Sequence, residues 1–80
     1  MGNAEKYDAA FATGLNIDPS EVNETLAFES IPAWDSIGQM VLISTIEESF
    51  GIEFNPDDIL NFKSYENGKT ILSQSYGIEF

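Results

Sequence analysis

Asp35 and Ser36 are the side chains in this sequence whose types and position point to a specific chemistry. They stand at the predicted start of a helix, where backbone N–H groups point outward and favour a negatively charged group. A phosphate ester on the Ser36 hydroxyl would therefore be well placed. A Ser at a helix start also needs no role beyond starting the helix. The residues alone permit a modification of Ser36 without requiring one.

Other side-chain combinations give no support for catalysis by this chain. The sequence has neither His nor Cys, which excludes a His base, a Cys nucleophile, a disulfide framework and an ordinary zinc site. The three Lys residues are isolated, so no nucleophilic triad can be built around Ser36. Glu47 and Glu48 are adjacent on a predicted helix and point in different directions, which favours a solvated face over acid–base work. We therefore expect that the chain is not an enzyme.

The composition limits the classes of partner. Fourteen Asp or Glu residues against three Lys give the 80-residue chain a formal net charge of −11. Nucleic acids and anionic membranes are also negative, so neither is an expected partner. The length predicts a single domain over residues 1–80, and no apolar stretch resembles an export signal or a membrane span. We expect a cytosolic monomer whose surface suits basic proteins.

The helix that positions Ser36 is the clearest predicted element. Asp35 is an N-cap residue type, an apolar-rich segment covers Ser36–Phe50, and Gly51 suits the left-handed residue past the helix end. One broad side of this helix collects Leu42, Ile43, Ile46 and Phe50, with Met40 at its margin. That side is predicted to face the core.

A second, narrow stripe on the same helix contains Ile37, Val41, Ser44 and Glu48. One interpretation is that the long connection before the helix covers Ile37 and Val41. The other is that they form an exposed apolar strip that docks a partner. The pattern alone leaves both interpretations open.

The first helix is predicted over residues 4–13. Tyr7, Ala10 and Phe11 share one stripe of it, and Gly14 suits the left-handed residue just past its end. A long connection over residues 15–34 follows, with one short turn near its start. Its apolar residues Leu26, Phe28 and Ile31 are predicted to hold it against the core, because a structureless loop of this length is uncommon in a small domain.

Two further helices complete the predicted fold. A short third helix begins at Asn55, and a fourth runs from Ser64 to Tyr76. The similarity between residues 49–54 and 75–80 is interpreted as two similar helix ends rather than a repeat. The sequence therefore predicts an all-α fold, a small four-helix bundle with a long loop between its first two helices.

Three stretches of the chain resemble the acyl carrier protein family. Residues 34–37 contain Asp-Ser-Ile, which is similar to the Asp-Ser-Leu that opens the second helix in that family. Residues 40–43 continue an apolar helix, and residues 46–53 resemble the Glu-rich end that runs into Phe-Gly-Ile. Length, acidity, helix order and the long first loop agree as well. The resemblance thus covers essentially the whole chain.

The resemblance implies a covalent 4′-phosphopantetheine on Ser36, added from coenzyme A by a phosphopantetheinyl transferase, with Asp35 as the motif neighbour. The thiol of this arm would hold an acyl, aminoacyl or related group as a thioester for loading and processing enzymes. It would also explain why the chain needs no Cys. The second helix would be the face shown to those enzymes, which assigns partner binding to Ile37, Val41, Ser44, Glu47 and Glu48.

Four residues depart from the fatty-acid-synthesis members of that family. Gly38, Gln39 and Val41 stand in the first helix turns, where members of that subgroup resemble one another in carrying acids. Trp34 stands where that subgroup usually has a small residue. These departures favour a specialised carrier in a polyketide, nonribosomal-peptide, aminoacyl-transfer or cell-envelope pathway. Two hypotheses from other classes are an unmodified acidic adaptor that docks a basic protein and a nucleic-acid mimic. The mimic would need a long regular array of acids, whereas here the acids scatter.

Overall fold

The computed structural model describes residues 2–80 as four α-helices joined by three connections. The helices are α1 (Asn3–Leu15), α2 (Ser36–Phe50), α3 (Pro56–Asn61) and α4 (Tyr65–Tyr76), with one 3₁₀ turn at Pro19–Glu21. No strand occurs in this range, where a single isolated bridge pairs Ala27 with Ser64. The predicted all-α architecture with a long first connection is confirmed.

The end of α1 differs from the prediction. The helix continues to Leu15, and the left-handed residue after it is Asn16, at φ 55°, rather than Gly14. Gly14 lies buried inside α1, where an added Cβ would stand 3.0 Å from Leu42 Cα and 3.2 Å from Thr45 Oγ1. The assignment of Gly14 was wrong because this glycine permits close packing of α1 on α2, while Asn tolerates the left-handed conformation.

The other helix ends follow the prediction. Asp35, Asn55 and Ser64 each cap a helix by accepting a hydrogen bond from a first-turn N–H group. Gly51 and Gly77 follow α2 and α4 at φ 64° and 67°, a conformation that glycine adopts without strain. The similarity between residues 49–54 and 75–80 therefore reflects two equivalent helix ends.

The core contains most of the side chains that the helical stripes predict: Phe50 is only partly buried, and Met40, predicted at the margin of the core side, is exposed. The largest fully buried residues are Trp34, Tyr7, Phe11, Phe62, Leu42, Ile46 and Leu72. Aromatic rings dominate it and meet largely edge to face, as Phe11 and Trp34 do with ring centroids 5.3 Å apart. α1 and α2 form the most extensive helix pair, and this pair supports the face that carries Ser36.

The long connection is anchored to the rest of the fold in two ways. Leu26 is buried, and Phe28 and Ile31 pack against the core as predicted. The backbone also pairs with the start of α4: the Phe28 N–H donates to the Lys63 carbonyl at 2.8 Å, and the Tyr65 N–H donates to the Leu26 carbonyl at 2.9 Å. These bonds hold the connection beside α4.

Tyr7 and Tyr65 form a hydrogen-bonded pair in the core. Tyr7 Oη donates to the Tyr65 carbonyl at 2.6 Å, and Tyr65 Oη donates to an Asp8 carboxylate oxygen at 2.5 Å. Burial raises the pKa of Tyr7 far above its usual value. Burial, together with the hydrogen bond to Asp8, raises the pKa of Tyr65 in the same direction.

We expect the free energy of unfolding to fall as the pH rises above 10.0, the usual tyrosine pKa. Unfolded tyrosines lose their protons there while the folded Tyr7 keeps its own, so stability declines by up to about 1.4 kcal/mol per pH unit for that group. The contribution of Tyr7 to the free energy of unfolding is fully present below this pH. Urea unfolding at neutral and alkaline pH measures the decline, and Tyr7→Phe should make it shallower. Equal stability on both sides of the tyrosine pKa would contradict the expectation.

Candidate functional site

Ser36 is the first residue of α2, and its side chain is exposed. The preceding residue, Asp35, has an extended backbone, and its Oδ1 accepts a hydrogen bond from the Gly38 N–H at 2.8 Å. The Asp35 carbonyl accepts from the Gln39 N–H at the same distance. Asp35 therefore acts as the helix cap, and its cap fixes the backbone on which Ser36 stands.

The surroundings of Ser36 fit a phosphate ester. Within residues 2–80, no hydrogen bond engages the Ser36 hydroxyl, and the backbone N–H groups of Ser36 and Ile37 donate to no protein acceptor. These groups lie at the positive end of a fifteen-residue helix. A phosphate on Ser36 would find two free donors and a favourable electrostatic field there.

The segment that leads into Ser36 is held by Trp34. This side chain is completely buried, and its carbonyl accepts a hydrogen bond from the Glu29 N–H at 2.8 Å. Glu29 adopts a left-handed conformation at φ 64°, which closes a tight turn before the helix. The Trp34 N–H donates to the Ile31 carbonyl at 3.1 Å. Ser36 is thus exposed on a backbone that the core fixes two residues earlier.

Gly38 lets the backbone at Ala33 pass close to the first turn of α2. The sequence analysis did not identify Gly38 as a packing residue. An added Cβ would overlap the Ala33 carbonyl oxygen and stand 3.3 Å from Leu15 Cδ2. A glycine in the first turn of a helix costs up to about 1 kcal/mol relative to alanine, so its presence there is the signal that a backbone passes close by.

Gln39 joins Trp34 to α3. Its Oε1 accepts a hydrogen bond from Trp34 Nε1 at 2.6 Å. Its Nε2 donates to the carbonyls of Ile59, at 3.2 Å, and Phe62, at 2.9 Å. The sequence singled out Trp34 and Gln39 only as departures from a related subgroup. The structure makes them hydrogen-bonded partners.

Ile37 and Val41 are exposed, so the long connection does not cover them. Ile37 is 73% exposed and Val41 48%, while Met40 between them is 71% exposed. Leu60 on α3 is 68% exposed. We call these four residues the apolar face. Of the two interpretations that the stripe left open, coverage by residues 15–34 is wrong, because that segment pairs with the start of α4 instead.

The other residues predicted to bind partners lie further along α2. Ser44 and Glu48 are exposed. Glu47 is half-buried, and its carboxylate accepts a hydrogen bond from the Phe54 N–H at 2.8 Å, so it also holds the connection to α3. Ser44 and Glu47 border a groove of about 220 Å³ between α2 and α3, whose other lining residues are Met40, Ile43 and Ile59.

Each of the three lysines lies over an aromatic ring. Lys6 Nζ is 5.3 Å from the ring centroid of Phe50, Lys63 Nζ 4.8 Å from that of Phe28, and Lys69 Nζ 4.7 Å from that of Tyr65. α2 and α3 contain no lysine, and their charged residues are Glu47, Glu48, Asp57 and Asp58. The face around Ser36 is therefore apolar at its centre and acidic at its edges.

The described residues contain no cluster of acidic side chains that could hold a metal ion. Among these helices, none combines the length and the apolar character that a bilayer crossing requires.

Comparison with known proteins supplies a family. The family described as "Phosphopantetheine attachment site" matches residues 9–67, which span α1, α2, α3 and the start of α4. An acyl carrier protein from Solidesulfovibrio magneticus is 27% identical to the chain over 77 residues, covering 96% of this chain and 99% of the relative. No solved structure was found to match.

Family, fold and site agree with one another. The match covers most of the chain, and the exposed, unpaired Ser36 at the start of a helix fits the phosphate end of the group that the family carries. Members of this family are carriers and not catalysts. The chain therefore belongs to the acyl carrier protein family, whose members bear a covalently attached 4′-phosphopantetheine.

Proposed function

We propose that Ser36 carries the 4′-phosphopantetheine arm. The observation that carries this proposal is the exposed Ser36 hydroxyl on the first residue of α2, which, like the two backbone N–H groups beside it, has no hydrogen-bond partner in the described part of the chain. The positive end of the helix favours the phosphate of the arm. When bound, the arm supplies the thiol that holds the carried group as a thioester, a function for which this Cys-free chain has no side chain.

The apolar face is proposed as the docking surface for the enzymes that modify, load and process this carrier. Ile37, Met40 and Val41 expose apolar area within two turns of Ser36, and an exposed cluster of this kind marks an interaction site. Ser44, Glu47 and Glu48 extend the surface along α2. A phosphopantetheinyl transferase would be the first such partner, and its docking area would need an apolar centre with basic residues at the edge.

The carried group is proposed to be an acyl, aminoacyl or related intermediate of a specialised pathway. The support for this is that the first three turns of α2 contain no charged residue, whereas the fatty-acid-synthesis subgroup carries acids there. We place this work in the cytosol, together with coenzyme A. The alternative of an unmodified adaptor has no separate observation in its favour, and the family of the chain speaks for modification.

Incubation of the apo protein with coenzyme A and a broad-specificity phosphopantetheinyl transferase tests the attachment site. We expect the intact mass to rise by one phosphopantetheine group, and fragmentation to locate that group on Ser36. A wild-type protein that stays unmodified, or an adduct on another residue, would contradict the proposal.

The same assay tests the docking surface. Val41→Asp should lower the modification rate at limiting carrier concentration by about tenfold, the change that about 1.4 kcal/mol produces. Thr70→Asp, which adds the same charge to the exposed side of α4, is the matched control and should leave the rate near the wild-type value. Equal rates for the two variants would show that Val41 is outside the docking surface.

A further inference from the structure

We infer that Gln39 is a positioning residue, which couples the Ser36 end of α2 to α3 so that partner enzymes meet one preformed apolar face. This inference rests on the proposed function, since it concerns how the docking surface is built. It is carried by the three hydrogen bonds of the Gln39 side chain and by the exposed residues on either side of them.

The Gln39 amide satisfies groups on two separate segments. Trp34 Nε1 belongs to a completely buried ring and needs an acceptor, which Gln39 Oε1 provides at 2.6 Å. Both N–H groups of an amide can donate, and Gln39 Nε2 reaches the carbonyls of Ile59 and Phe62. These carbonyls lie at the C-terminal end of α3, where helix carbonyls run short of backbone donors. The Ile59 carbonyl also accepts a long hydrogen bond from the Phe62 N–H, at 3.4 Å.

α3 depends on such external bonds for its position. It has six residues, too few for a helix that is stable by itself. At its N-terminal end, Tyr76 Oη donates to Asp58 Oδ2 at 2.8 Å, which ties α3 to α4. At its C-terminal end, the Gln39 side chain ties α3 to α2. The burial of Phe62 anchors this end in the core, and Gln39 sets its direction.

The consequence is a docking surface that spans two helices. The Ile59 carbonyl belongs to the peptide that joins Ile59 to Leu60, and Leu60 is largely exposed. Met40, the neighbour of Gln39 in the chain, is exposed as well and lines the groove with Ile59. A hydrogen bond from Gln39 to this peptide therefore sets the distance between the apolar side chains of α3 and those of α2. The Asp35 cap, which fixes Ser36 itself, does not involve the Gln39 side chain.

Two substitutions at Gln39 separate positioning from stability. Gln39→Leu removes every side-chain hydrogen bond, and Gln39→Glu keeps the acceptor for Trp34 while replacing both donors to α3. Gln74→Leu, on the exposed side of α4, is the matched control. The measurements are NMR hydrogen–deuterium exchange of individual amides in the apo protein and the steady-state kinetics of modification by the transferase.

We expect both Gln39 variants to lose amide protection in α3 and at Phe62 while α1 keeps the protection seen in Gln74→Leu. For Gln39→Glu, which keeps the acceptor for Trp34, we expect the KM for the carrier to rise by about tenfold with kcat nearly unchanged, because Ser36 stays in place while the docking surface loosens. Protection lost equally in all four helices, or an unchanged KM, would overturn the inference. If even the wild-type protein gains no arm, the proposed function fails, whereas the exchange result still reports on Gln39.

Discussion

Ser36→Ala is expected to gain no phosphopantetheine under conditions that convert the wild-type protein completely. The effect is all or none, because the substitution removes the only atom to which the proposed phosphate ester can be formed at this position. The measurement is the intact mass of the protein after incubation with coenzyme A and the transferase. Persistence of the mass increase in Ser36→Ala would move the attachment site elsewhere.

The loss of the adduct should not come from loss of the fold. Ser36 is exposed and its hydroxyl bonds to no group of residues 2–80, so Ser36→Ala should change the free energy of unfolding by less than about 0.5 kcal/mol. Ser73→Ala on the exposed side of α4 removes the same hydroxyl at a distant position and should be modified like the wild type. Together, the two variants separate the chemistry of Ser36 from a general effect of removing a serine.

Gly68→Ala is expected to destabilise the protein strongly, although the substitution favours an isolated helix. In a helix interior, alanine is more favourable than glycine by about 1 kcal/mol. Gly68, however, is buried in α4, and an added Cβ would overlap Tyr7 Oη and Phe62 Cζ and stand 2.7 Å from Phe62 Cε2. Both rings are completely buried and cannot move aside without displacing the core.

The expected loss lies at or above the upper end of the range of about 1–3 kcal/mol that overpacking costs. Urea unfolding of wild type and variant measures it. Two controls set the scale: Gly14→Ala, where the contacts begin at 3.0 Å, should cost less, and Ser73→Ala should cost nothing. A Gly68→Ala protein as stable as the wild type would show that Tyr7 and Phe62 leave room for a methyl group.

The acidity of the chain gives an incomplete picture of its partners. The net charge of −11 by itself indicates basic partners. The residues nearest Ser36 on α2 are apolar and exposed, with the acids of α2 confined to Glu47 and Glu48. One of these, Glu47, bonds to the Phe54 N–H within the chain. Docking is therefore expected to depend on Ile37 and Val41 at least as much as on charge.

Local rules were sufficient for most of the secondary structure. The caps at Asp35, Asn55 and Ser64 were predicted because a side chain and an N–H group of the same turn decide them. The ends at Gly51 and Gly77 were predicted for the same reason. Gly14 was assigned wrongly by the same rule, because a contact with α2 accounts for this glycine and no rule of the helix end applies to it.

The sequence by itself determined the four helices, most of the apolar side chains that form the core and the position of a serine at the start of α2. Each of these depends on residues within a few positions of one another, through capping, helical periodicity and backbone conformation. Tertiary structure alone decided whether Ile37 and Val41 are covered, why Gly38 and Gly68 are glycine, and that Gln39 bonds to α3. These features depend on which segments, distant in the sequence, meet in the folded chain. A helical pattern carries no information about those contacts.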